Sequence, residues 1–166
     1  MGSAATSYLI VRVGDRRLAF DAGEIAEILP LLPLWRPPTL PRPLAGFATV
    51  AGATLPVLDP LPLFGMAARS GAIDLFAHIV RPRNASGTRP CLLVDRAEAL
   101  LPAGRARIGP VSAEASLDGL IAAEIATDDG VAHLMSFDRL LDSGERERVA
   151  ALTEQASDRA AAWADA

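Results

Sequence analysis

The chain has 166 residues, 51% of them hydrophobic and 22% charged, a balance that supports one folded domain without a metal or disulfide staple and excludes intrinsic disorder. Its 20 acidic residues outnumber 16 basic ones, all arginine and scattered along the chain, for a net charge of −4. That distribution excludes the clustered positive surface a nucleic-acid binder requires.

A single cysteine, Cys91, rules out an internal disulfide, and its place in the apolar run Cys91-Leu92-Leu93-Val94 predicts a buried thiol. No apolar run approaches the ~20 residues needed to span a bilayer. The opening Met1-Gly2-Ser3-Ala4-Ala5 lacks the basic and apolar segments of an export signal, so a cytoplasmic location is expected.

In chain order, Tyr8 to Val13 alternates as a strand, Gly14-Asp15 is a tight turn, and Arg16 to Phe20 returns, which predicts a hairpin. Asp21 to Leu29 predicts a short helix: Asp21 is placed to cap it, Glu24 has the capping-box spacing, Ile25, Ile28 and Leu29 share a face, and Pro30 ends it. Six prolines between Pro30 and Pro43 predict an extended surface loop that carries one large aromatic, Trp35.

Leu44 to Val50 and Ala53 to Leu58 form a second predicted hairpin about Ala51-Gly52. A short segment, Leu61 to Phe64, ends at Gly65, and Ala68 to Ala72 reads as a connector. Ile73 to Arg81 pairs with Cys91 to Asp95 across the loop Pro82 to Pro90, and Leu120 to Ala126 pairs with Val131 to Phe137 across Asp128-Asp129-Gly130. Short strands at hairpin spacing point to small antiparallel barrels. From Ser143 to Ala166 the pattern is helical, with Val149, Leu152, Ala156 and Trp163 near one stripe and Ser143 as the expected cap.

Chemistry-bearing motifs do not emerge. His78 and His133 lie in predicted strands with no second ligand at metal spacing, and there is no Gly-rich phosphate loop, Gly-x-Ser-x-Gly elbow or Cys-x-x-Cys. Asp59, Asp95 and Asp138 follow strands and are expected to cap turns by accepting backbone N–H groups. No catalytic residue, metal ligand or cofactor is expected.

The block Gly46-Phe47-Ala48-Thr49-Val50-Ala51-Gly52-Ala53-Thr54-Leu55-Pro56-Val57-Leu58-Asp59 resembles the signature Gly-Val-Ile-Asn-Leu-Arg-Gly-x-Ile-Val-Pro-Val-Val-Asp of CheW-like domains. Pro60-Leu61-Pro62-Leu63-Phe64-Gly65 is similar to the turn that ends that block, Leu92-Leu93-Val94-Asp95-Arg96 to the family's Leu-Val-Val-Asp-x, and Leu134 to Leu141 to its closing Leu-x-Leu-Asp-Leu-x-x-Leu-Leu. The segment Glu24 to Leu29 is similar to the family's start, so the likeness runs from Tyr8 to Leu141.

The resemblance implies two small open five-stranded β-barrels around a common core, with a groove between them and short helices, followed by the C-terminal helix. The expected division is a CheW-like domain over 1–142 and a helix over 143–166. Within the domain, a first barrel covers about 16–66 and a second about 72–142, with strand 8–13 as a candidate addition to the second.

The implied function is a non-catalytic adaptor in bacterial chemosensory signalling, one that links the cytoplasmic tip of a chemoreceptor to the regulatory domain of a CheA-type histidine kinase or competes for that interaction. The residues expected at partner contacts are Ile28, Leu29, Leu31 and Trp35, with Val50, Ala51, Gly52, Val57 and Asp59 of the signature hairpin. One departure stands out: Thr49-Val50-Ala51 replaces the family's Asn-Leu-Arg, so the arginine associated with signalling-complex assembly is absent. The alternatives are a small-ligand sensor on the same barrels, which needs a closed polar pocket, and an enzyme with a carboxylate site, which needs clustered ionisable groups.

Overall fold

The computed structural model describes residues 4–67 and 73–165, and the connector expected at Ala68 to Ala72 lies outside them. In order, the chain forms β1 (Ser7–Val13), β2 (Arg16–Asp21), a 3-10 turn (Ala22–Glu24), β3 (Ile25–Pro30), β4 (Leu44–Val50), β5 (Ala53–Leu58) and a 3-10 turn (Leu61–Phe64). There follow β6 (His78–Pro82), β7 (Cys91–Val94), β8 (Arg96–Pro102), a 3-10 turn (Ala103–Arg105), β9 (Arg107–Gly109), β10 (Ile121–Thr127), β11 (Gly130–Met135), a 3-10 turn (Phe137–Arg139) and α1 (Ser143–Ala164).

The strands make two open sheets, one of six in the order β8-β1-β2-β11-β10-β9 and one of five in the order β3-β6-β7-β5-β4. The all-β architecture with short helical turns and one C-terminal helix is as the sequence predicts, with one more strand in the first sheet.

The hairpins form where the turns predict them. Val13 pairs with Arg16 about Gly14, Val50 with Ala53 about Ala51-Gly52, and Thr127 with Gly130 about Asp128-Asp129. Ala51 and Gly52 have φ of 49° and 81°, the left-handed pair that a two-residue hairpin turn requires.

Two parallel pairings do what the turns cannot: β2 lies beside β11, with Leu18 opposite His133, and β5 lies beside β7, with Val57 opposite Cys91. They join strands distant in sequence, and they cut across the expected barrel ranges of 16–66 and 72–142. β2 belongs with β8 to β11, whereas β6 and β7 belong with β3 to β5.

The segment expected to be a helix over Asp21 to Leu29 is a correction. Asp21 does cap a turn, accepting the Gly23 N–H at 2.8 Å, but that turn lasts only through Glu24. From Ile25 the chain is extended and pairs antiparallel with β6, Ile28 opposite Val80 and Leu29 opposite Ile79. A nine-residue helix is marginal by itself, and a ladder to a buried strand outcompetes it. Glu24 makes no capping box; its carboxylate accepts the Ser136 hydroxyl at 3.1 Å and so ties this turn to the end of β11.

Period-two alternation distributes side chains among three clusters. Leu9, Val11 and Val13 of β1 and Leu18 and Phe20 of β2 face a central core that they share with Leu58, Val80, Leu92 and Val94 of the other sheet. The opposite faces close smaller clusters: Tyr8, Ile10, Ala19, Ile125 and Ala132 in the six-stranded sheet, and Val50, Leu55, Val57, Ile79, Cys91 and Leu93 in the five-stranded one. This explains why runs such as Cys91 to Val94 are apolar throughout, for both of their faces are buried.

Phe137, Leu140, Leu141, Val149 and Ala156 bring the last 3-10 turn and α1 into the central core, so α1 docks on the domain. Its cap is Asp142, not the expected Ser143: the Asp142 carboxylate accepts the Glu145 N–H, and Glu145 accepts the Asp142 N–H, each at 2.8 Å.

Candidate functional site

Three features carry the surface chemistry. The first is a hollow of about 230 Å³ where the two sheets meet, lined by Leu9, Ala22, Ile25, Glu27, Ile28 and Leu100. The 3-10 turn after β2 carries the chain from one sheet to the other, and β3 then presents its alternate residues outward. Ile28 is 41% exposed and Leu100, on β8, 63%, so the hollow opens two apolar side chains to water. Beside them Glu27 is held by Arg81, carboxylate to guanidinium at 2.7 Å. Leu29 and Leu31 are half-buried against the core of the five-stranded sheet.

The second feature is the hairpin β4–β5. Its tip, Ala51-Gly52, is exposed, while Val50 is buried and Val57 has no exposed surface. Val57 therefore holds the hairpin in place and cannot itself touch a partner. Asp59 is also buried, and its carboxylate accepts the Leu61 N–H at 3.1 Å, which starts the following turn as the strand-end role predicts.

The third is Trp35 on the proline loop. Its backbone exchanges hydrogen bonds with Phe47 at 2.8 and 3.0 Å, and the two rings lie 5.8 Å apart. A Cβ on Gly46 would come within 2.9 Å of the Trp35 carbonyl, so glycine is what lets the loop lie against β4. Arg36 secures the loop further by donating from Nε to the Ala45 carbonyl at 2.9 Å. Trp35 itself stays 44% exposed: it is both a brace for the loop and a presented ring.

The Asp95 carboxylate accepts the Gly14 N–H at 2.6 Å, and Asp138 pairs with Arg89. His78 and His133 lie on β6 and β11 in different sheets. Burial pushes the Cys91 thiol up to about 12, which leaves it protonated and inert. Among the described residues no three His, Cys, Asp or Glu side chains gather in a way that could hold a metal ion.

Of the residues the sequence puts forward, Ile28 and Trp35 are exposed in the fold, and Leu100, which lines the same hollow as Ile28, is not among them because β8 is not expected from the sequence. The signal was Leu100-Leu101 just before Pro102, a strand end without a turn motif ahead of it.

The comparisons agree with this architecture. The fold is similar to that of the scaffolding protein TtCheW from Thermoanaerobacter tengcongensis, known from a crystal structure, with a TM-score of 0.66 at 15% identity, covering 87% of this chain and 92% of that one. No curated protein matches the chain. The family model of the CheW-like domain matches residues 7–145, a span that takes in every strand of both sheets and the first turn of α1, and the chain therefore belongs to the CheW-like family.

Proposed function

We propose that the protein is a non-catalytic scaffold of chemosensory signal transduction that works in the cytoplasm by holding other proteins together. The observation that carries this reading is the family match over residues 7–145. The surface is consistent with it, since a largely apolar hollow lies between the edge strands β3 and β8 of the two sheets. No described helix is long and apolar enough to cross a membrane.

In its finer form, the protein links the cytoplasmic tip of a chemoreceptor to the regulatory domain of a CheA-type histidine kinase, or competes for that link. Ile28 and Leu100 at the hollow between the sheets, with Leu29 and Leu31 shaping its neighbourhood, form one contact. The exposed turn Ala51-Gly52 and Trp35 form the other, with Val50, Val57 and Asp59 supporting them from within. Ala51 brings no charge where the family signature has arginine, which weakens the kinase contact and favours the competitor role.

The test is pull-down and calorimetry with a purified receptor-tip fragment and a CheA-type regulatory domain. We expect a Kd of about 10 μM or tighter for at least one of them, and Ile28→Glu to abolish it by placing a charge in a dry contact. No association at roughly tenfold higher concentration with either protein overturns the proposal.

A further inference from the structure

α1 outlasts the surface on which it packs. Val149, Thr153 and Ala156 are buried, and from Ser157 to Asp165 every residue is exposed, yet the helix continues to Ala164. Its last turns overhang the hairpin β4–β5 and, with the proline loop, enclose a trough of about 210 Å³ walled by Trp35, Phe47, Thr49, Thr54, Arg159 and Trp163. The trough runs on past Trp35, Phe47 and Ala156 into a second hollow beside Leu152 and Gln155. Two neighbouring hollows that share the walls Trp35, Phe47 and Ala156 suit a length of polypeptide better than a compact molecule.

The chemistry of the walls narrows the occupant. Trp163 is 72% exposed and Trp35 44%, two rigid aromatic faces that lose little entropy when covered. Arg159 is the single ionisable residue lining either hollow. It makes no ion pair among the described residues, and its neighbours one turn away on the helix, Gln155, Ala156, Ala162 and Trp163, carry no carboxylate. In a protein of net charge −4, the trough is walled by aromatic, alanine and threonine side chains, and the cation at its helical rim stands outside any ion pair among the described residues. Arg159 and Trp163 also lie beyond residue 145, where the family match ends.

We propose that this trough binds a segment of a partner protein that combines a bulky apolar side chain with a nearby carboxylate. The apolar side chain seats between the two indoles and Phe47, and the carboxylate meets the Arg159 guanidinium, which is suited to bidentate pairing. The trough shares Trp35 with the second contact proposed above, whereas Arg159 and Trp163 belong to this site alone.

The test is selection of short random peptides displayed on phage against the full chain, followed by fluorescence polarisation with the most enriched peptide. Enriched sequences are expected to share an aromatic or large aliphatic residue close to Asp or Glu. Arg159→Glu and Trp163→Ala should each weaken the peptide by about tenfold or more, and Arg159→Lys by less. Both positions are exposed, so melting temperatures should stay within about 2 °C of the parent, and association with the receptor tip or kinase domain should be unchanged. The proposal is overturned if no peptide is enriched, if enriched peptides lack the acid, or if the variants bind them as the parent does. It is equally overturned if sedimentation shows a dimer that Trp163→Ala dissolves, for a second copy then fills the trough, or if only a free aromatic acid such as indole-3-acetate binds there.

Discussion

Phe137→Ala tests whether the two sheets and α1 form one cooperative unit. Phe137 is 3% exposed, its ring centroid lies 4.8 Å from that of Phe20, and the Arg89 guanidinium sits 5.9 Å above it. Truncation removes a buried ring at the point where β2, the last 3-10 turn and α1 converge, and leaves a cavity that these backbones cannot all close. Such changes cost about 3–5 kcal/mol, against a total stability of roughly 5–15 kcal/mol for a domain. For a chain of this size the melting temperature should fall by roughly 6–20 °C, taking about 2–4 °C per kcal/mol. Phe137→Leu, which refills most of the space, should cost only about 1 kcal/mol. Urea unfolding followed in parallel by tryptophan fluorescence and circular dichroism is the assay, with a lower midpoint and an unchanged slope expected. A loss below about 1 kcal/mol, or two separate transitions for the two probes, would refute the shared core.

Three further outcomes follow from local features. Asp142→Ala should destabilise the protein by about 1 kcal/mol through loss of the capping box, while Ser143→Ala should leave thermal unfolding nearly unchanged. Ala51→Asn should raise the melting temperature, since asparagine tolerates the left-handed backbone that Ala51 holds at φ 49° and alanine pays about 1 kcal/mol for it; a lower melting temperature would contradict that reading. Cys91, with no exposed surface and a thiol pushed up to about 12, should resist Ellman's reagent at neutral pH and react fully once the chain is unfolded in denaturant.

Much of the architecture was legible because it is local. The turns at Gly14, Ala51-Gly52 and Asp128-Asp129 force the chain to reverse within a few residues, so each hairpin follows from its own sequence. The stripe of Val149 and Ala156 likewise marks the docked face of α1. β3 was misread because Ile25, Ile28 and Leu29 fit a helical face as well as they fit a strand, and only the presence of β6 alongside decides between them. β8 was missed because its middle, Ala97-Glu98-Ala99, carries no apolar alternation; it is a strand because β1, far away in sequence, offers it a ladder that runs from Ser7 opposite Pro102 to Arg12 opposite Arg96.

For the candidate site the same division holds. Ile28 and Trp35 stood out as apolar residues in segments flanked by turns and prolines, and both are exposed. Val57 and Asp59 stood out as parts of a signature, yet both are buried, because a signature preserves the residues that hold a hairpin as well as those that meet a partner.

By itself the sequence determined the hairpins, the helix, the buried thiol and the likeness to CheW-like domains, since these depend on turn backbone angles and on alternation within a dozen residues. Only the tertiary structure decided which strands are neighbours across the parallel pairs β2–β11 and β5–β7, that Leu100 and Ile28 line one hollow, and that Arg159 and Trp163 overhang the β4–β5 hairpin. Those contacts join residues far apart along the chain, and they are selected by the joint burial of both partners, a quantity that no single segment contains.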